Sequence, residues 1–130
     1  MEIRTEHMND WFTKYHIEGP WPFNPVFHRF TRADGNGDPH DHPWPFRSVI
    51  LSGGYREEVF DLSGKSWFVD RYVGDSFVNE ADHIHRIVEL FEDECWTMIL
   101  PQEGGRKPGF YQFREDGAYH RFWDGDWSKL

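Results

Sequence analysis

The stretch GDPHDHPWPFRSVILSGG, Gly37 to Gly54, decides how the rest of the chain is read. It runs from a Gly/Asp/Pro loop, through two histidines one residue apart, into an apolar segment closed by Gly53 and Gly54. A short apolar run bounded by turn residues reads as a buried strand. In an extended segment residues i and i+2 point to one side, so His40 and His42 would present two imidazoles together. They are either half of a metal site or two polar residues closing a turn.

Outward from this stretch the chain reads as β. VFHRFT precedes it, and YREEVFDL, SWFVDRYV, DSFVNE, HIHRIVELF, CWTMIL, GFYQFR and YHRFW follow. Between them lie GNGDP, SGG, LSGK, FEDE, PQEGGRKPG and EDGA. Short strands between Gly-rich turns predict a sandwich or barrel, and no helix-period segment is present to build βαβ units. ELFEDECW predicts a hairpin closed by an acidic turn. Residues 6–16 differ, because Met8, Trp11, Phe12 and Tyr15 fall at helical spacing. They predict a short helix ended by GPWPFNP, whose prolines remove backbone donors. The expected organisation is a short arm over residues 1–25 and one β domain over 26–130.

Composition narrows the function classes. The 130 residues fit one domain with one core, and 18% of them are aromatic, seven being Trp. A net charge of −9 repels phosphate backbones and argues against nucleic-acid binding. The single cysteine, Cys95, suits a reducing compartment. With no long apolar run and a charged N-terminus, the expectation is a cytoplasmic protein with no membrane contact. No Gly-x-Ser-x-Gly, P-loop or dinucleotide fingerprint occurs. DGNGD resembles the start of a calcium loop, but Pro39 and Pro45 stand where that loop needs Gly and Glu, so it reads as a turn.

Four of the eight histidines fall in two clusters, His40/His42 and His83/His85. Two such pairs on facing strands would surround one ion, and imidazole suits Fe, Zn, Cu or Ni. Isolated H-x-H pairs also occur as polar surface, and the residues alone leave both readings open. His7, His16, His28 and His120 stand apart and read as satisfied core or surface histidines.

The two clusters, in this order, resemble the two motifs of the cupin superfamily. The first motif there is Gly, H-x-H, a Glu three or four residues on, and a closing Gly. Here Pro43-Trp44-Pro45 follows His42, Phe46 or Arg47 stands at the glutamate position, and Gly53 or Gly54 closes the motif, while Gly35 is offset by one from the opening position. The second motif is matched by Gly74-Asp75, loosely by Ala81-Asp82, and by His85, with His83 as its same-face neighbour. The wider pattern HDHPW…GGYREE…HRI…CWTMIL…GFY is also similar to small cupin-like proteins of bacteria and their phages. The resemblance spans residues 26–115. It implies an all-β, double-stranded β-helix (a jelly-roll barrel), whose exposed edges favour a homodimer.

In many cupins three His and one Glu hold the metal. Without the Glu, three His remain, the set with which thiol dioxygenases hold ferrous iron. The resemblance therefore implies a divalent metal, Fe(II) first and Zn, Ni or Mn otherwise, on His40, His42 and His85, with His83 as a spare ligand or a donor to one. A neutral three-His set leaves the ion its full charge and favours an anionic ligand. The Cys–Tyr crosslink of animal thiol dioxygenases does not carry over, since Phe or Arg stands at its Cys position. Arg47, if inward, would clamp a substrate carboxylate, and if outward it is a solvated charge. Tyr55, Tyr111 and Trp44 would line a pocket mouth or pack. Trp96, Met98 and Leu100 share one strand face, Thr97 and Ile99 the other, and both read as packing. The expected function is a mononuclear non-haem Fe(II) oxygenase acting on a small molecule. The alternatives are a non-enzymatic cupin that binds a ligand or protein, and a sugar isomerase or epimerase, for which only Arg47, Arg86 and Arg106 would supply a basic pocket.

Overall fold

The computed structural model describes residues 1–20 and 24–130. Twelve strands make up its regular structure: β1 (Glu2–His7), β2 (Phe12–Glu18), β3 (Val26–Phe30), β4 (Phe46–Ser52), β5 (Tyr55–Phe60), β6 (Ser66–Arg71), β7 (Ser76–Asn79), β8 (Ile84–Leu90), β9 (Cys95–Pro101), β10 (Gly109–Arg114), β11 (Gly117–Phe122) and β12 (Ser128–Lys129). All pairings are antiparallel, and no helix occurs among the described residues. One sheet has the order β1-β2-β3-β9-β4-β7, and two three-stranded sheets have the orders β6-β5-β8 and β10-β11-β12. His40 joins the two small sheets, since it bridges His85 on β8 and Phe110 on β10. The result is a jelly roll of two facing layers, as the strand pattern predicts.

The helix expected over residues 6–16 is a β-hairpin instead. Asn9 and its neighbours form the turn, with Met8 N donating to Phe12 O at 3.0 Å and Trp11 N to Asn9 Oδ1 at 2.9 Å. Tertiary pairing overrides the helical spacing, because β2 pairs along β3 from Phe12↔Phe30 to His16↔Val26. Phe12 stacks on Phe30 at 4.5 Å and Tyr15 on Trp96 at 5.5 Å. The same aromatics that suggest a helical stripe thus fill cross-strand sites. The break expected at Pro22 lies outside the described residues.

ELFEDECW is likewise not a hairpin. β8 pairs with β5, whereas β9 pairs with β3 and β4, so Phe91–Glu94 carries the chain from one layer to the other. The turn at Gly53-Gly54 makes the matching crossing between β4 and β5. Both glycines have positive φ, 82° and 92°, and a Cβ on Gly53 would lie 2.2 Å from Glu94 O. Only glycine fits there. Between the layers Phe30, Ile50, Tyr55, Ile87 and Cys95 form the buried core. Phe30, Tyr55 and Ile87 also border the adjoining cavity, so the core serves as its floor.

Candidate metal centre

The first histidine cluster is placed by the sheet that it completes. His40 N donates to His85 O at 2.9 Å and His85 N to His40 O at 3.0 Å. This is a directly opposed antiparallel pair, and its side chains emerge on one face. The two rings lie 5.0 Å apart. His42, two residues on, turns the same way, and its N is fixed by Ala81 O at 2.9 Å. Its Nε2 lies 3.1 Å from His85 Nε2. One nitrogen from each of His40, His42 and His85 falls within 4.8 Å of the others. Asp41, between the two histidines, faces away and is fully buried. It accepts hydrogen bonds from Gly109 N at 2.7 Å and Tyr111 Oη at 2.8 Å, and pairs with Arg106 at 3.1 Å. That anchor ties the histidine loop to β10.

A second cluster shares His85. Glu57 on β5 is completely buried, accepts a hydrogen bond from His83 Nε2 at 2.9 Å, and stands 3.6 Å from His85 Nδ1 and 3.5 Å from Arg71 Nε. One ligand atom each from Glu57, His83 and His85 also falls within 4.8 Å of the others. Burial would raise the Glu57 pKa, but the hydrogen bond from His83 and the nearness of His85, with the charge of Arg71, hold it well below the usual carboxylate range. In the first cluster burial, then the neighbouring histidines, pushes His40 down to about 3, and His42 goes down for the same reasons. Both rings are therefore neutral at neutral pH, the form that ligates a metal.

These rings open onto a cavity of about 610 Å³ between the layers. Trp11, Phe12 and Lys14 of the β1–β2 hairpin wall one side, with Phe46, Phe110 and Trp123 elsewhere on the lining. Its size and apolar walls suit a small molecule.

A scan of family profiles finds no match to this sequence, and a search of curated proteins finds no significant one. Solved structures do match. The hydroxypropylphosphonic acid epoxidase of S. wedmorenis aligns at TM-score 0.62 and 10% identity, over 78% of this chain and 56% of that one. The oxalate decarboxylase of Lactobacillus farciminis, in a formate complex, aligns at 0.61 and 17%, over 90% and 33%. The cupin domain of Drosophila melanogaster CENP-C aligns at 0.60 and 13%, over 78% and 76%. The chain has the cupin fold. It spans about half of the epoxidase and a third of the decarboxylase, and at these identities the likeness speaks of the fold alone.

Within this cupin barrel, Phe46 holds the inward position where the first motif expects a carboxylate, and its ring meets His42 edge-on at 4.9 Å. Arg47 is exposed on the outer face, where it donates to Ser76 Oγ at 3.0 Å and does not border the cavity. The alternation of β4 is the cause, since Phe46, Ser48 and Ile50 take the inner face. Tyr55 is buried and borders the cavity, and burial, then the charge of Glu57, pushes its phenol well up. Arg86 pairs with Glu58 at 2.7 Å. The buried carboxylate in contact with the histidines is Glu57 on β5, and it belongs to the second cluster with His83 and His85. Its signal was in YREEVF: an alternating strand with Tyr55 and Val59 inward must also turn Glu57 inward, and a buried carboxylate calls for a partner.

The residues present fit a metal ion. Two imidazole nitrogens on one ion at about 2.0–2.1 Å, with angles between a right angle and tetrahedral, stand roughly 2.8–3.4 Å apart. The His42–His85 separation of 3.1 Å lies in that range. Glu57 beside His85 Nδ1 favours a proton there, which leaves Nε2 with its lone pair toward His42.

Acid should destabilise the metal-free protein through its neutral histidines. His28, on β3 beside the cavity, has its pKa pushed down to about 3 by burial and then by Lys14 and His16. Below about pH 6.5 the unfolded chain protonates His28 while the folded chain does not. The unfolded state then binds more protons, so stability decreases as the pH is lowered, by up to about 1.4 kcal/mol per pH unit for each such group. Urea unfolding across this window should show a shallower slope for His28→Phe than for the wild type. Equal slopes would refute the assignment.

Proposed function

We propose that this cupin holds one divalent ion on His40, His42 and His85 and acts as a mononuclear non-haem Fe(II) oxygenase of a small molecule. The observation that carries the reading is the convergence of three imidazoles, His40 and His42 held neutral by burial, on the wall of a mainly apolar cavity. An ion bound there supplies Lewis-acid chemistry and, if it is iron, dioxygen chemistry.

The chain's own residues do the rest. The backbone pairing of His40 with His85 fixes two rings against each other. Glu57 sets the tautomer of His85 and holds His83 away from the cavity lining. Phe46 packs against His42 and Phe110 against His40, which puts apolar surface beside the site. Tyr55, a protonated phenol at neutral pH, is a candidate substrate contact.

The test is elemental analysis of protein purified without a histidine tag. Close to one transition-metal ion per chain, removable by chelator, is expected. A chain that never takes up metal from iron, zinc, nickel or manganese solutions would sink the reading. A non-enzymatic binding cupin is the second reading, favoured by the exposed Trp67 and Phe68 on the edge strand β6. It gains if metal is present but the protein never consumes O₂.

A further inference from the structure

The cavity wall opposite the histidine cluster carries a polar row that the metal does not use. In the six-stranded sheet Lys14 on β2 pairs with His28 on β3, and His28 pairs with Thr97 on β9. Directly opposed residues share a face, and all three border the cavity. On β2 and β3 the row is flanked by apolar Phe12 and Phe30.

The side chains of Thr97 and Lys14 have no hydrogen-bond or ion-pair partner among the described residues, and Lys14 only overlies the Phe12 ring at 5.6 Å. Thr97 is 2% exposed, and its Oγ1 is buried. The cross-strand neighbour of Lys14 on β1 is Glu6, whose carboxylate is bonded to His16 Nε2 at 2.9 Å. Burial pulls the Lys14 pKa down, the mark of an ammonium removed from water without full compensation. An unpaired buried donor is costly and is normally satisfied by something. By contrast, Arg29, Arg56, Arg71, Arg86 and Arg106 all reach a carboxylate.

We infer that Lys14, His28 and Thr97 form the binding subsite for the anionic group of a small-molecule carboxylate. The ammonium supplies the charge, and the Thr97 hydroxyl and His28 ring supply hydrogen bonds. A molecule seated there has its other end toward His40, His42 and His85 across the cavity. That last point rests on the metal reading, whereas the subsite itself does not. It also explains how a chain of net charge −9 admits an anion, since the attraction is local and inside low-dielectric walls.

The test uses benzoate and its neutral isostere benzamide on chelator-treated protein, followed by amide chemical shifts in NMR. Benzoate should shift Lys14, His28 and Thr97 and bind at least about tenfold more tightly than benzamide. Lys14→Met should erase that preference, Lys14→Arg should keep it, and Thr97→Val, which preserves shape, should weaken benzoate alone. Equal binding of the two probes, no shift along the row, or a preference that survives both Lys14→Met and Thr97→Val would overturn the inference. Because the protein is metal-free, these results are independent of whether it later takes up one ion per chain.

Discussion

Replacing His40 with alanine is expected to abolish stoichiometric metal binding, whereas replacing His83 is expected to weaken it only. His85 belongs to both clusters, so its loss cannot tell them apart. His40 belongs only to the three-histidine set, and His83 only to the set with Glu57. Removing one of three ligands forfeits a large share of a metal's binding free energy, which corresponds to roughly a hundredfold or more in affinity. His83 instead bonds to Glu57 at 2.9 Å, and Glu57 in turn orients His85. Losing an outer partner of this kind costs about 10–100-fold. Competition against a chromophoric chelator measures both variants. The opposite order, with His83→Ala abolishing binding and His40→Ala sparing it, would move the ion to Glu57, His83 and His85.

Asp41→Ala should produce a large loss of stability for a single substitution. Its carboxylate is fully buried and satisfies Gly109 N and Tyr111 Oη as well as pairing with Arg106. Arg106 is partly exposed and can turn to water. Gly109 and Tyr111 are buried and cannot. Each buried donor left without an acceptor costs about 1–3 kcal/mol, so the sum for the two is roughly 2–6 kcal/mol. Asp41→Asn should fall between, because an amide offers one acceptor where the carboxylate offers two. Urea denaturation of metal-free protein reads this directly. A loss below about 1 kcal/mol for the alanine variant would show that the anchor is slack.

Much of this molecule is legible in its sequence. The strand runs and Gly-rich breaks mark the all-β barrel, and the spacing of the two histidine pairs marks the residues that the fold brings together. What was not legible depended on pairing. Met8, Trp11, Phe12 and Tyr15 fit a helix as well as a hairpin, and only the neighbouring β3 decides between them. ELFEDECW has the composition of a hairpin, but β8 and β9 belong to opposite layers. The faces of β4 were both apolar, so Arg47 could be placed only once Phe46 and Ser48 were seen to point inward. On β9 the inward face is Cys95, Thr97 and Ile99, a distinction that alternation offers and polarity alone does not settle. The row of Lys14, His28 and Thr97 is dispersed over three strands, and register alone assembles it.

The β1–β2 hairpin has a bearing on where this chain can be cut. From sequence, a boundary at Val26 is natural, and a shortened chain starting there would keep every histidine of the metal centre. It would also lose Trp11, Phe12 and Lys14, and with them one wall of the cavity and its unpaired cation. β3 would become a bare edge. On the proposed reading, such a fragment keeps the ligand residues while discarding those proposed to select the molecule brought to them, which makes the hairpin the natural place to vary specificity without touching the ligands.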